Sequence, residues 1–195
     1  ALDICHSIAT GSDVLKRKTV QGSSLYLCLE DNYVRIQNRL FSISAEPTEN
    51  MHFAVMADTI GNGLENQIED FYNNHSDLKV IIIDTLQKVR NETESGYGKD
   101  YKEMSILKEL ADKLRIAVVL IHHTRKCKDS DPFNMISGST GISGCADGSM
   151  VLAETFRGSR KGTLYCVGRD IGNAEIAVEF DETVTAREVD GEMLL

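Results

Sequence analysis

The run Lys79-Val80-Ile81-Ile82-Ile83-Asp84-Thr85 sets four bulky aliphatic residues side by side and stops on a carboxylate. A run so short and so rich in β-branched residues predicts a strand covered on both faces, as in a parallel sheet flanked by helices. Residues 25–29 (LYLCL) and 117–121 (AVVLI) repeat the pattern, and 51–57 predicts a short further strand. Between these runs the apolar positions change to helical spacing. Val34, Ile36, Leu40, Phe41 and Ile43 form one such face, ending before Pro47, and Asp31 or Asn32 is placed to cap it. Leu64, Ile68, Phe71 and Tyr72 form the next, over 64–78 after the turn Gly61-Asn62-Gly63. Tyr101, Met104, Leu107, Leu110, Ala111 and Leu114 form a third, in a helix resuming from Lys99 after the polar loop RNETESGY at 90–97. Strand alternating with helix predicts an α/β fold with a mostly parallel, doubly wound sheet.

Two stretches depart from that rhythm. Residues 127–144 are rich in Ser, Gly and Asp and predict a mobile loop or an irregular helix start. Residues 150–152, 164–167 and 176–180 then read as strands separated by tight turns, which leaves them only antiparallel pairing. At the other end, residues 1, 4, 5, 8 and 9 are apolar at helical spacing and Gly11 supplies a stop, so the chain is expected to open inside a helix, as a piece of a longer protein.

At 195 residues, with 42% hydrophobic and 26% charged residues, one soluble globular domain is expected. No apolar run approaches the roughly 20 residues of a membrane span, and no signal peptide opens the chain. Five cysteines without a C-x-x-C pair argue against a disulfide framework or a zinc site and favour a cytoplasmic setting. A net charge of -9 excludes a surface coated in basic residues, so any nucleic-acid contact must be local. Local basic spots exist: Arg125, Lys126 and Lys128, then Arg157, Arg160, Lys161 and Arg169, whereas Arg187 is the only base between Asp170 and Glu192.

Three strands end on Glu30, Asp84 and the pair His122-His123, and in open α/β sheets ligands bind at the carboxyl ends of strands. An Asp there suits a nucleotide-bound Mg²⁺, and equally suits a helix cap. Glu30 is either a catalytic base or a helix-dipole charge. The histidines are a catalytic contact or a satisfied pair, with no third residue spaced for a metal. Arg169 is either functional or a surface partner of Asp170 or Glu175, and the Arg125 cluster either contacts phosphate or is a solvated loop.

Taken together, LYLCLED, KVIIIDT, VVLIHHTRK, SGSTGISGCADGSMVL and LYCVGRDIGNAEIAVEFD resemble the RecA-like ATPase core, in the branch of RepA-type plasmid and phage hexameric replicative helicases related to DnaB. The resemblance runs from Leu25 to Asp181. It implies that Glu30 is the catalytic glutamate and Asp84 the Walker B residue that holds Mg²⁺. It implies that His123 contacts the γ-phosphate, that Arg169 is an arginine finger offered to a neighbouring subunit, and that Arg125, Lys126 and Lys128 face nucleic acid in a ring channel. His122 is expected to be structural. ATP and Mg²⁺ are the implied cofactors of the full-length protein, with single-stranded DNA and further copies of the chain, in a hexameric ring, as partners.

Two departures qualify the resemblance. No G-x-x-x-x-G-K-[ST] occurs anywhere, so a single RecA-like domain spanning 1–195, truncated before its phosphate loop and first strand, is expected. On its own this piece is expected to be inactive and to bind no cofactor tightly. Val167 stands two residues before Arg169, where DnaB-like members place a lysine. A KaiC- or RadA-like regulatory or recombination ATPase is the neighbouring alternative, and a non-catalytic nucleic-acid-binding or scaffold module the more distant one.

Overall fold

The computed structural model describes every residue except 45, 47, 92–95, 126–128, 139, 182–185 and 190–195. Four strands, β1 (Ser24–Cys28), β2 (Met51–Ala54), β3 (Val80–Asp84) and β4 (Ala117–Ile121), build a parallel sheet in the order β2-β1-β3-β4. Ile83 of β3 lies opposite Leu27 of β1 on one side and Leu120 of β4 on the other. Parallel neighbours need long crossovers. Three helices supply them: α2 (Tyr33–Ile43), α3 (Leu64–Asn74) and α4 (Tyr97–Leu114).

Strand periodicity then sorts the aliphatics onto two faces. Leu25, Leu27, Ile81 and Ile83 meet Leu64 and Ile68 of α3 and Met104, Leu107 and Leu110 of α4. Tyr26, Cys28, Val80 and Ile82 meet Ile36 of α2 and Cys5 and Ala9 of α1 (Leu2–Thr10). With both faces covered, all four aliphatics of β3 are at most 2% exposed, and each stabilises the fold by about 1.5–3 kcal/mol. Burial also renders the cysteines on this face inert: it pushes the Cys5 thiol up to about 12. At the edge of the sheet β4 is different, since Val118, Val119, Leu120 and Ile121 stay only half-buried.

A second, antiparallel sheet holds β5 (Gly148–Glu154), β6 (Lys161–Gly168), β7 (Ala174–Phe180) and β8 (Ala186–Glu188) in sequence order. The first three correspond to the expected strands; β8, in the acidic stretch, was not foreseen. Glu188 of β8 pairs with Arg17 at 2.7 Å.

Several boundaries differ from the sequence reading. α3 ends at Asn74 rather than 78, because His75 turns out of the helix and stacks on Phe71 with ring centroids 4.1 Å apart. β2 ends at Ala54, three residues early. Asn32 caps α2, accepting from the Arg35 amide at 3.0 Å, yet of that helix's apolar face only Ile36 is fully buried, with Val34 and Phe41 exposed. The segment 127–144 contains a 3₁₀ turn (Pro132–Met135) and a short helix, α5 (Thr140–Cys145). α4 begins at Tyr97, and Tyr101 does not share its core stripe.

Arg90, assigned from sequence to an exposed loop, is instead enclosed. Its Nε donates to Glu103 Oε2 at 2.6 Å, its Nη2 donates to Asp100, and Lys99 lies 3.7 Å from the other Glu103 oxygen. Among the described residues no helix is long and apolar enough to cross a membrane.

Candidate active site

β1, β3 and β4 run the same way in adjacent register, so their carboxyl ends share one rim. The chain leaves β1 outward to β2 and then crosses back to β3, and open α/β sheets leave a crevice where the winding reverses. Beyond β1, the Leu29 amide donates to the Asp84 carbonyl at 2.8 Å, which keeps Glu30 beside the end of β3. There Glu30 Oε1 accepts from the Thr85 hydroxyl at 3.0 Å, and Glu30 Oε2 lies 4.0 Å from His123 Nε2. Asp84, joined to Thr85 by a cis peptide bond, accepts from the Tyr26 hydroxyl at 2.5 Å.

Glu30, Asp84 and His123 therefore gather in one place. A half-exposed carboxylate and an exposed imidazole face each other across it, while Asp84 is held from below by a buried phenol. Burial, reinforced by Asp84, pushes the Tyr26 hydroxyl well above its usual range, so it stays a donor. Asp84 and Thr85 offer hard oxygens, the donor type that suits Mg²⁺, an ion that keeps much of its water and takes few protein ligands. Among the described residues no cluster of three or more His, Cys, Asp or Glu is arranged to hold a metal.

Tyr26 and Thr85 were missed in the sequence. Tyr26 had one visible signal: it is the only residue with a polar tip long enough to reach along its strand. Replacing it with phenylalanine removes a hydrogen bond to a charged acceptor, and the variant is expected to lose about 1.5–3 kcal/mol in urea unfolding. An unchanged midpoint would show that the contact carries no stability.

The two histidines have different lots. His123 is exposed, whereas His122 turns inward, with Nε2 2.9 Å from the Ser137 carbonyl and Nδ1 buried without a hydrogen-bond partner among the described residues. Burial holds His122 below its ordinary value of 6.5. The unfolded chain then binds the extra proton more readily than the folded one, so stability is complete above pH 6.5 and falls as the pH drops below it. Thermal unfolding on either side of that pH checks this; the slope is expected to be shallower in His122→Asn.

Arg125 stands exposed after β4, its Nη2 donating to the Gly138 carbonyl at 2.5 Å. Lys126 and Lys128 lie outside the described residues. Arg169 is not brought to the rim of its own chain. It pairs with Asp147 at 3.2 Å, a carboxylate it shares with Lys108, rather than with Asp170 or Glu175.

Residues 1–129 match the family model described as the AAA domain, which is well over half of the chain. The chain belongs to the AAA-domain family. Among solved structures, this AAA domain is similar to a DnaB-like replicative helicase described together with its interactions with primase, at a TM-score of 0.69 and 13% identity, over 86% of this chain and 51% of that one. It is also similar to the RadB recombinase, at a TM-score of 0.60 and 11% identity, over 87% of this chain and 80% of that one. No curated protein matches it. The AAA domain thus spans about half the length of the DnaB-like helicase and has the RecA-like fold that the resemblance of its motifs implied.

Proposed function

We propose that this domain is part of the ATP-hydrolysing core of a ring-forming, RepA- or DnaB-like replicative helicase that moves along single-stranded DNA. The observation that carries the reading is the meeting of Glu30, Thr85 and His123 within hydrogen-bonding and ion-pairing reach, with Asp84 beside them. No phosphate loop of the Walker type occurs among these 195 residues, and the reading concerns the full-length protein.

In that reading Asp84 and Thr85 would hold Mg²⁺, which would supply positive charge against the triphosphate. Tyr26 fixes the Asp84 carboxylate by donating to one of its oxygens. Glu30 orients the attacking water and takes its proton; Thr85, donating to one Glu30 oxygen, leaves the other for that water. His123, exposed beside Glu30 and directly preceding Thr124 and Arg125, touches the terminal phosphate and passes its loss to that loop. Arg169 serves a neighbouring subunit, and Asp147 keeps it parked until that subunit is present.

The RadB likeness favours a second reading, a recombination ATPase. Full-length protein on a forked DNA duplex separates the two. ATP-dependent strand separation supports the helicase; DNA-stimulated hydrolysis without separation supports the recombinase; hydrolysis in neither condition sinks both.

A further inference from the structure

We propose that His122 is a positioning residue, a proton-sensitive latch whose neutral ring holds residues 135–138 against the end of β4 and so sets where His123 and Arg125 stand. Its consequence for hydrolysis rests on the ATPase reading above; the latch itself does not. Both histidines act on Ser137. His122 Nε2 lies 2.9 Å from the Ser137 carbonyl, and the Ser137 amide donates to the His123 carbonyl at 3.2 Å. Next along the chain Thr124 bridges Ile136 in antiparallel fashion, the Arg125 amide donates to the Met135 carbonyl at 2.6 Å, and the Arg125 guanidinium donates to the Gly138 carbonyl. Of these links, only the one through His122 ends in a group that titrates near neutral pH.

A carbonyl oxygen can only accept, so Nε2 carries the proton and the neutral ring presents a bare Nδ1. That Nδ1 is buried with no hydrogen-bond partner among the described residues. An imidazole kept for packing alone gains nothing from such a nitrogen, and an apolar residue would avoid its cost. A second proton turns Nδ1 into a donor among charges that are already matched. Arg90, on the chain leaving β3, Asp100, on α4, and the neighbouring His123 are all within electrostatic reach of His122. Arg90 binds both Asp100 and Glu103, and Lys99 lies 3.7 Å from Glu103. The carboxylates are therefore engaged, Arg90 repels a charged ring, and burial disfavours it further. Protonation thus favours a ring turned out toward water, which frees the Ser137 carbonyl.

Two fixed points bracket the held segment. On one side Asp131 caps the 3₁₀ turn, accepting from the Phe133 amide at 2.9 Å. On the other the chain turns at Gly138, whose φ of +96° suits glycine and where a Cβ would come within 2.6 Å of Ile142. Beyond that turn α5 is anchored on α4, with Cys145 Sγ 3.6 Å from the Tyr101 carbonyl and Asp147 2.7 Å from Lys108. Between these points the chain is placed on β4 by its bonds to residues 122–125, and the His122 ring supplies one rung of that short ladder. Loosening Ser137 loosens its amide bond to the His123 carbonyl, and with it the placement of the His123 ring beside Glu30.

The test uses the full-length protein and two replacements: His122→Gln, whose amide donates from the same position and does not titrate, and His122→Leu, which donates nothing. Amide hydrogen exchange over residues 131–138, compared between proteins at one pH, reads the latch without nucleotide. At about pH 8 wild type and His122→Gln are expected to exchange alike, and His122→Leu about fivefold to tenfold faster, as for the loss of one hydrogen bond. At about pH 5 wild type is expected to exchange like His122→Leu while His122→Gln keeps its protection. Steady-state ATP hydrolysis reads the consequence. His122→Leu is expected to lose about 10²-fold in kcat with KM little changed, and His122→Gln to recover most of it and to hold its rate further into the acid range than wild type. Equal exchange of wild type and His122→Leu at about pH 8 overturns the latch, and so does a His122→Gln that exchanges like His122→Leu there. Wild-type protection that survives at about pH 5 overturns its proton sensitivity. Faster exchange in His122→Leu with an unchanged kcat overturns the positioning of His123. If wild type hydrolyses no ATP while the exchange pattern holds, the ATPase reading falls and the latch stands.

Discussion

Mixing two separately inactive variants of the full-length protein, Glu30→Gln and Arg169→Ala, is expected to restore part of the ATP hydrolysis that each lacks. Loss of the general base at Glu30 should slow turnover about 10²–10⁴-fold with nucleotide still bound. Loss of a trans-acting arginine should slow it about 10³–10⁵-fold. Glutamine keeps the shape and still accepts from Thr85, so the defect belongs to proton transfer rather than to a collapsed rim. If Glu30 and Arg169 act in the same site but come from different subunits, a mixed ring contains some sites with both. Within its own chain Arg169 is bound to Asp147 and away from Glu30, the arrangement such sharing requires. Additive, unrescued activity in the mixture would show that Arg169 does not act on a neighbour, and undiminished turnover in Glu30→Gln would remove Glu30 from the chemistry.

Arg90→Ala is expected to be the most damaging single change to stability, at about 3–5 kcal/mol. The Arg90 side chain is 12% exposed and those of Asp100 and Glu103 are 6% and 7%, so truncation removes the guanidinium that both carboxylates share where water has little access. Lys99 cannot replace it: it is 3.7 Å from Glu103 and donates to the Asn91 carbonyl. Domains of this size are stable by about 5–15 kcal/mol, so the loss is a large share of the whole. Most of that cost is the abandoned charge rather than the value of the bridge. Arg90→Met combined with Asp100→Leu and Glu103→Leu should therefore recover much of it. Urea midpoints for both variants decide the matter; a mild effect of Arg90→Ala would mean that water reaches the carboxylates.

Which parts of this molecule could be read from its residues follows from the range of the forces involved. The aliphatic run of β3 has to be hydrophobic at every position because both faces of the sheet are covered, so burial is written directly into consecutive letters. Asp84 and Glu30 were visible for the same reason, as polar residues that break such runs. The tie between Tyr26 and Asp84 spans 58 positions and depends on the register of two strands, which no local pattern carries. Arg90 misled because its neighbours along the chain are polar, while the carboxylates that enclose it come from the next helix. Tyr101 misled in the opposite sense: its spacing fits the α4 stripe, but it falls on the edge of the stripe where the core has ended. The limit of α3 was lost to a ring stack between His75 and Phe71, a contact that a hydrophobicity pattern does not score.

One consequence of the half-covered β4 concerns handling rather than chemistry. Its aliphatic side chains border a row of backbone amides and carbonyls for which no adjoining strand is described, and such a border is adhesive toward any extended peptide of suitable length. Wherever nothing lies along it, copies are prone to zip together there, so concentration and ageing will govern how long preparations of these 195 residues stay dispersed.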